Sequence, residues 1–166
     1  MLIRLIMFIV LGMVAVGSFP GQAWSQAQKS LADASCAQDL KDFGASGIKV
    51  LSVKTLDAGK LNTEIQEAAA RGEAWPKEAV PVALRFVGPG LKGHTKIIEV
   101  RTPPEERHQA TITVTESGYL DDAVGGERWR LLLAQGADGV WTMKRALWAQ
   151  LCQRPGRTFY SSERCP

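Results

Sequence analysis

The chain has 166 residues, with 20 lysines and arginines against 17 aspartates and glutamates and a formal net charge of +3. So mild an excess, spread along the chain, gives none of the dense cationic surface that nucleic acid or an anionic membrane would require. The length suits one domain with its own core, not a miniprotein held together by disulfides.

The first segment, residues 1–25, has the layout of a secretory signal peptide. Arg4 precedes an apolar run, 5–16, followed by Pro20-Gly21 and the small-residue site Ala23-Trp24-Ser25. That run of 12 residues is shorter than the roughly 20 needed to cross a bilayer, so cleavage is expected and no stable membrane anchor should remain. A cut after Ser25 leaves 141 residues with a net charge of +2, and a cut after Ala27 is the nearest alternative. The expected location is therefore the periplasm or the extracellular space.

An oxidising compartment favours pairing of thiols, and Cys152 with Cys165 is the expected bridge, closing a short tail. Cys36 is then odd: a buried thiol, a link to another chain, or the true partner of either C-terminal cysteine.

Residues 26–46 read as a flexible leader, with a possible capping box at Ser35-Cys36-Ala37-Gln38 opening a short helix that ends at Gly44. Residues 48–55, rich in Val, Ile and Leu between Gly47 and Gly59, read as a strand. Leu61, Ile65, Ala68 and Ala69 fall on one helical face, and Gly72 stands where a left-handed stop is wanted. In this helix Thr63 with Gln66 offers a capping box, and Glu67 with Arg71 an exposed i,i+4 pair.

After Trp75-Pro76 the pattern changes to alternation. Val80, Val82, Leu84 and Phe86 predict a strand ended by Gly88-Pro89-Gly90, and 95–101 predicts another. Ala110, Ile112 and Val114 face one way while Thr111, Thr113 and Thr115 face the other. Trp129, Leu131 and Leu133 mark the next strand and 140–151 a long last one, joined by a hairpin at Gly136-Ala137-Asp138-Gly139. The expected fold is α+β: a curved antiparallel meander of four to five strands, one face wet and the other covered by one main helix, over 47–166. An open all-β sandwich is the alternative. The element order resembles that of cystatin-like and nuclear-transport-factor-like folds.

Two stretches concentrate polar groups. In 116–130, Asp121, Asp122 and Glu127 can be read as paired carboxylates for acid–base work or as oxygen ligands, but Ala123, Val124, Gly125 and Gly126 interrupt the alternation a calcium loop needs. The simpler reading pairs the aspartates with Arg128, Arg130 or tail arginines to fix the hairpin. In the tail, Arg154, Arg157 and Arg164 lie near Phe159, Tyr160 and Trp148, a combination suited to a carboxylate or phosphate. The simpler reading there ties the tail to Asp121 or Asp122.

Arg145 shares the parity of Trp141, Met143 and Leu147. It marks a bulge, snorkels to an edge, or lines a cavity, with the bulge preferred because so long a strand must bend. Trp129 and Trp141 read as core, whereas Trp75 and Trp148 are the tryptophans that can be exposed. His94 and His108 lack a cysteine or acidic residue at ligand spacing, so no metal or other cofactor is expected.

The run Asp121-Asp122-x-Val124-x-Gly126-Glu127-Arg128-Trp129-Arg130-Leu131, with Trp141, Trp148 and the closing Cys152-x-x-Pro155-Gly156-Arg157 up to Cys165, resembles a group of small uncharacterised exported bacterial proteins. That resemblance implies a bacterial origin and proximity of the Asp-Asp hairpin to the Gly-Arg tail, and it brings no activity. The leading expectation is a non-enzymatic exported binding or accessory protein, meeting an envelope protein or a small anionic ligand. Its candidate binding residues are Asp121, Asp122, Arg128, Arg145, Trp148, Arg154 and Arg157. The alternatives are a small hydrolase or isomerase using Asp121 or Asp122 as base, and an inhibitor of a secreted enzyme.

Overall fold

A computed structural model describes Leu40, Lys41, Phe43, Gly44 and residues 47–166. The expected signal peptide, most of the leader, its capping box and Cys36 lie outside the described residues. Strands β1 (Lys49–Val50) and β2 (Lys54–Leu56) come first, followed by helix α1 (Gly59–Ala70), a 3₁₀ turn (Trp75–Lys77) and helix α2 (Ala79–Val87). Then come β3 (Thr95–Arg101), β4 (Gln109–Ser117), β5 (Val124–Gln135), β6 (Trp141–Arg154) and β7 (Arg157–Ser161). The seven strands form one open sheet in the order β1-β7-β6-β5-β4-β3, with β2 beside β6.

The fold is thus α+β, but larger than the expected meander under one helix. The single strand expected at 48–55 splits in two: β1 runs parallel to β7, and β2 runs antiparallel to β6. The tail adds β7, antiparallel to β6, because Pro155-Gly156 closes a two-residue turn between the directly opposed Arg154 and Arg157. Pro155 restricts its own φ and Gly156 adopts φ +74°, the pair of torsions a type II turn asks for.

Residues 79–87 are helical, not a strand. In Ala79-Val80-Pro81-Val82-Ala83-Leu84-Arg85-Phe86-Val87 nearly every residue is apolar, so alternation and helical periodicity fit equally well. Pro81 sits in the first turn, where a missing N–H leaves no bond unmade. Val82 and Ala83 are buried, and Arg85 pairs with Glu64 of α1 at 2.6 Å.

Helix α1 seats Leu61, Ile65 and Ala68 on the sheet. It ends in a Schellman motif: Gly72 (φ +75°) donates its N–H to the Ala69 carbonyl and Glu73 to that of Ala68. The expected Thr63–Gln66 capping box does not form. Asp57 accepts the Gly59 N–H ahead of the helix, while Thr63 Oγ1 donates back to the Gly59 carbonyl. Arg71 pairs with Glu73 at 2.8 Å instead of with Glu67. Asn62 pairs with both main-chain groups of Met143, each at 2.9 Å, and so acts as a short surrogate strand against β6.

Under the helices, Ala110, Ile112, Val114, Trp129, Leu131, Leu133, Trp141, Met143 and Ala146 form the main core. The opposite face is not simply wet. Phe43, Leu147, Ala149, Leu151 and Tyr160 form a second buried cluster there, with Phe43 edge-on to Tyr160 at 5.6 Å. Two apolar layers explain how β6 can be buried on both faces along its second half.

Candidate functional site

Asp121 and Asp122 begin the turn into β5. Asp121 Oδ1 accepts the N–H groups of Ala123 and Val124, both at 2.8 Å. Those two bonds, with the charge of Arg154, outweigh the small effect of burial and hold the Asp121 carboxyl below its ordinary range. An exposed carboxylate so engaged in its own turn makes a poor general base. Asp122 is exposed beside it.

The Asp-Asp turn and the tail meet. Gln153 donates its N–H to the Ala123 carbonyl, Val124 stands opposite Cys152, and Cys152 is joined to Cys165. The expected disulfide is therefore present, with Cα atoms 5.4 Å apart. Gln150 donates to the Glu163 carbonyl and Arg154 Nε to the Pro166 oxygen, so hydrogen bonds to the main chain, together with the disulfide, fold the tail back over the hairpin.

Two hollows flank this tail. The first, of about 600 Å³, is lined by Lys49, Leu51, Arg154, Gly156, Arg157, Thr158, Phe159 and Pro166. Strand register explains the grouping, because Lys49 lies opposite Phe159 and Arg154 opposite Arg157, which puts all four side chains on one face. Among the described residues, Lys49 and Arg157 form no ion pair with a carboxylate. The second hollow, of about 650 Å³, shares Arg154 and Pro166 and adds Asp121, Asp122, Gln150 and Arg164.

The remaining candidates lie elsewhere. Arg145 stands opposite Leu132, while Met143 stands opposite Leu133; the extra residue, Lys144, makes the expected bulge and turns Arg145 off the helix-covered face. At seven residues from Cys152 along β6, Arg145 is roughly 23 Å from the Asp-Asp turn. Trp148 is half-buried against the helix-side core, as is Trp75, whose Nε1 donates to Glu73. Trp129 and Trp141 are core, as expected. Arg128 does not reach the aspartates. Its buried guanidinium lies about 5.8 Å from the Phe43 ring and 5.7 Å from that of Tyr160, with Glu99 3.8 Å away, and its Nε has no hydrogen-bond partner.

Of the most concentrated ionisable cluster, the sequence points only to Glu127, which lies here with Glu116, Tyr119, Lys92 and Lys96 and not with the two aspartates. Glu116, only 2 % exposed, accepts from Lys96 at 2.8 Å and from the Tyr119 hydroxyl at 2.9 Å. The same hydroxyl lies 2.8 Å from Glu127, which Lys92 reaches at 3.0 Å. Burial raises the Glu116 pKa, but the bonds from Lys96 and Tyr119 outweigh it and leave it below its ordinary value. For Tyr119, burial and then Glu127 and Glu116 push the hydroxyl far above its ordinary range. Lys96 also donates to the Gly88 and Gly90 carbonyls, so its three protons are engaged and α2 is tied to the sheet. The signal was available: Glu116 and Glu127 share the parity of Val114 and Trp129, so Arg145 is not the notable charge on the inward side.

Among the described residues no group of His, Cys, Asp and Glu is arranged to hold a metal ion, and both histidines are exposed. No protein-family model, curated protein or solved structure matches this chain.

Proposed function

We propose that this chain is an exported, non-enzymatic binding protein whose hollow at the β1–β7 corner takes a small anionic ligand. One observation carries the reading: Arg154 and Arg157 are direct cross-strand partners, with Lys49 on the same face. Like charges placed opposite each other disfavour a hairpin by about 0.2–1 kcal/mol; Arg154 is engaged by the Pro166 oxygen and lies near Asp121, while Arg157 and Lys49 form no ion pair among the described residues. A bound carboxylate or phosphate would reverse the sign of that interaction. Leu51 and Phe159 give the same hollow an apolar wall, so the fitting ligand carries an acid group at one end and an apolar ring or chain at the other.

Export supplies the conditions under which the Cys152–Cys165 bridge persists. The catalytic alternative lacks support from the geometry, because Asp121 is held in its turn and Arg145 lies far from it.

Titration with benzoate and with inorganic phosphate, followed by amide chemical shifts, tests the reading. Saturable shifts are expected at Leu51, Gly156 and Phe159, with a Kd at or below about 1 mM for benzoate. Lys49→Ala with Arg157→Ala should abolish them without lowering the thermal midpoint. Unsaturable shifts, or the same titration in the double variant, would remove the basis of the proposal.

A further inference from the structure

Strand β3 ends the sheet, and nothing among the described residues pairs with its outer edge. It is seven residues long, pairs with β4 without a register shift, and exposes Ile97 (51 %), Ile98 (37 %) and Val100 (48 %). Edge strands are ordinarily blunted by a proline, a bulge, short length or an outstretched lysine. Here the proline pair follows the strand, there is no bulge, and the only lysine, Lys96, is drawn inward to Gly88, Gly90 and Glu116. The other end of the sheet differs: β1 has two residues.

We infer that β3 pairs antiparallel with β3 of a second copy of this chain, about a twofold axis at Val100. The charges choose both the partner and the register. An axis through Glu99 would oppose Glu99 to itself, and one through Ile98 would leave Glu99 facing Ile97 of the other copy. An axis through Val100 places Glu99 directly opposite Arg101 twice, with Val100 against Val100 and Ile98 against Thr102, and the ladder stops where Ile97 would meet Pro103, so the pairing is short. Arg101 is exposed, and Glu99, 46 % exposed at its side chain, has one oxygen 3.8 Å from Arg128 and the rest of its carboxylate open to a partner. The edge is thus self-complementary in charge about Val100.

Sedimentation equilibrium of the full chain tests this. The wild type should show a concentration-dependent monomer–dimer equilibrium. Glu99→Arg alone and Arg101→Glu alone should each raise the dissociation constant about tenfold or more, because two attractions become two repulsions. Combining them exchanges the charges and should restore the constant to within about threefold of wild type. Glu99→Arg also brings a second cation near Arg128, so Arg101→Glu, at an exposed position, is the variant to rely on if the first loses thermal stability. A wild-type chain that stays monomeric leaves the edge to a foreign strand and overturns the inference. So does a dimer that ignores the single charge reversals or is not restored by the exchange.

Discussion

Replacing Lys96 by methionine isolates the buried tie between α2 and the sheet. Methionine keeps the apolar stem and removes three donated bonds: to Gly88 at 3.0 Å, to Gly90 at 2.5 Å and to Glu116 at 2.8 Å. Glu116, 2 % exposed, would keep the Tyr119 hydroxyl and the Lys92 main-chain N–H but no cation. Leaving one partner of a buried pair uncompensated costs about 3–5 kcal/mol, and because Lys96 is itself 13 % exposed, water can reach the site and the lower end applies. A loss of about 3 kcal/mol is expected at neutral pH, a large part of a typical domain's stability. The pH dependence has a definite sign. In the wild type the Glu116 pKa is depressed below its ordinary 4.5, so the pair's stabilisation is present above that value and is lost as pH falls. Without Lys96 the carboxyl loses a bond and a charge that oppose the effect of burial, so its pKa rises from the wild-type value and protonation relieves the variant. The gap between variant and wild type should therefore be widest at pH 7 and narrow toward about pH 4. Urea unfolding at both pH values measures it, and Lys96→Met with Glu116→Gln should recover part of the loss. A cost below about 1 kcal/mol, or one independent of pH, would refute the assignment of Lys96 and Glu116 as a buried tie.

The Cys152–Cys165 bridge joins residues 13 apart, and the chain-entropy relation gives about 3 kcal/mol for a loop of that size. Replacing both cysteines by serine should lower the urea midpoint accordingly and speed exchange first in β7; an unchanged midpoint would mean that hydrogen bonds to the main chain alone hold the tail. Asp121→Ala should speed amide exchange at Ala123 and Val124, whose N–H groups it receives, while leaving the Leu131 and Leu133 amides protected. Unaltered exchange at those two turn amides would show that the turn does not depend on the carboxylate.

Some of this architecture can be read from the chain because its cause is local. Leu61, Ile65 and Ala68 at helical spacing, Gly72 at the stop, and the alternation of Ala110, Ile112 and Val114 each specify an element without help from distant residues. Residues 79–87 cannot be read that way. When both faces of a segment are apolar, the 2.0 and 3.6 periods coincide, and only packing onto the sheet decides between them. Nor is β7 legible as a strand from its own pattern: its hairpin with β6 is local, but its other neighbour, the two residues of β1, lies 110 positions earlier in the chain (159 − 49). The second apolar layer escapes notice for the same reason, because Phe43 looks isolated until Tyr160 is placed against it.

The tail site was partly legible: Arg154, Arg157 and Phe159 are close in sequence, but Lys49 and Leu51 join them only through the parallel β1–β7 pairing. Arg128, on β5, and Arg145, on β6, have other surroundings, since one residue of bulge or a neighbouring aromatic pair reassigns a side chain. The two surfaces proposed to bind lie at opposite ends of one sheet. Four strand spacings of about 4.8 Å separate β3 from β7, roughly 19 Å, and pairing through β3 would leave the two hollows some 43 Å apart. Across that distance exposed charges are screened, because the Debye length is about 8 Å at physiological ionic strength. Charge exchange at Glu99 and Arg101 should therefore leave benzoate affinity at the β1–β7 corner unchanged, while loss of Lys49 and Arg157 should leave the monomer–dimer equilibrium unchanged. Each surface stands or falls by itself, and coupling between them would require a rearrangement of β4, β5 and β6, the best-buried strands of the fold.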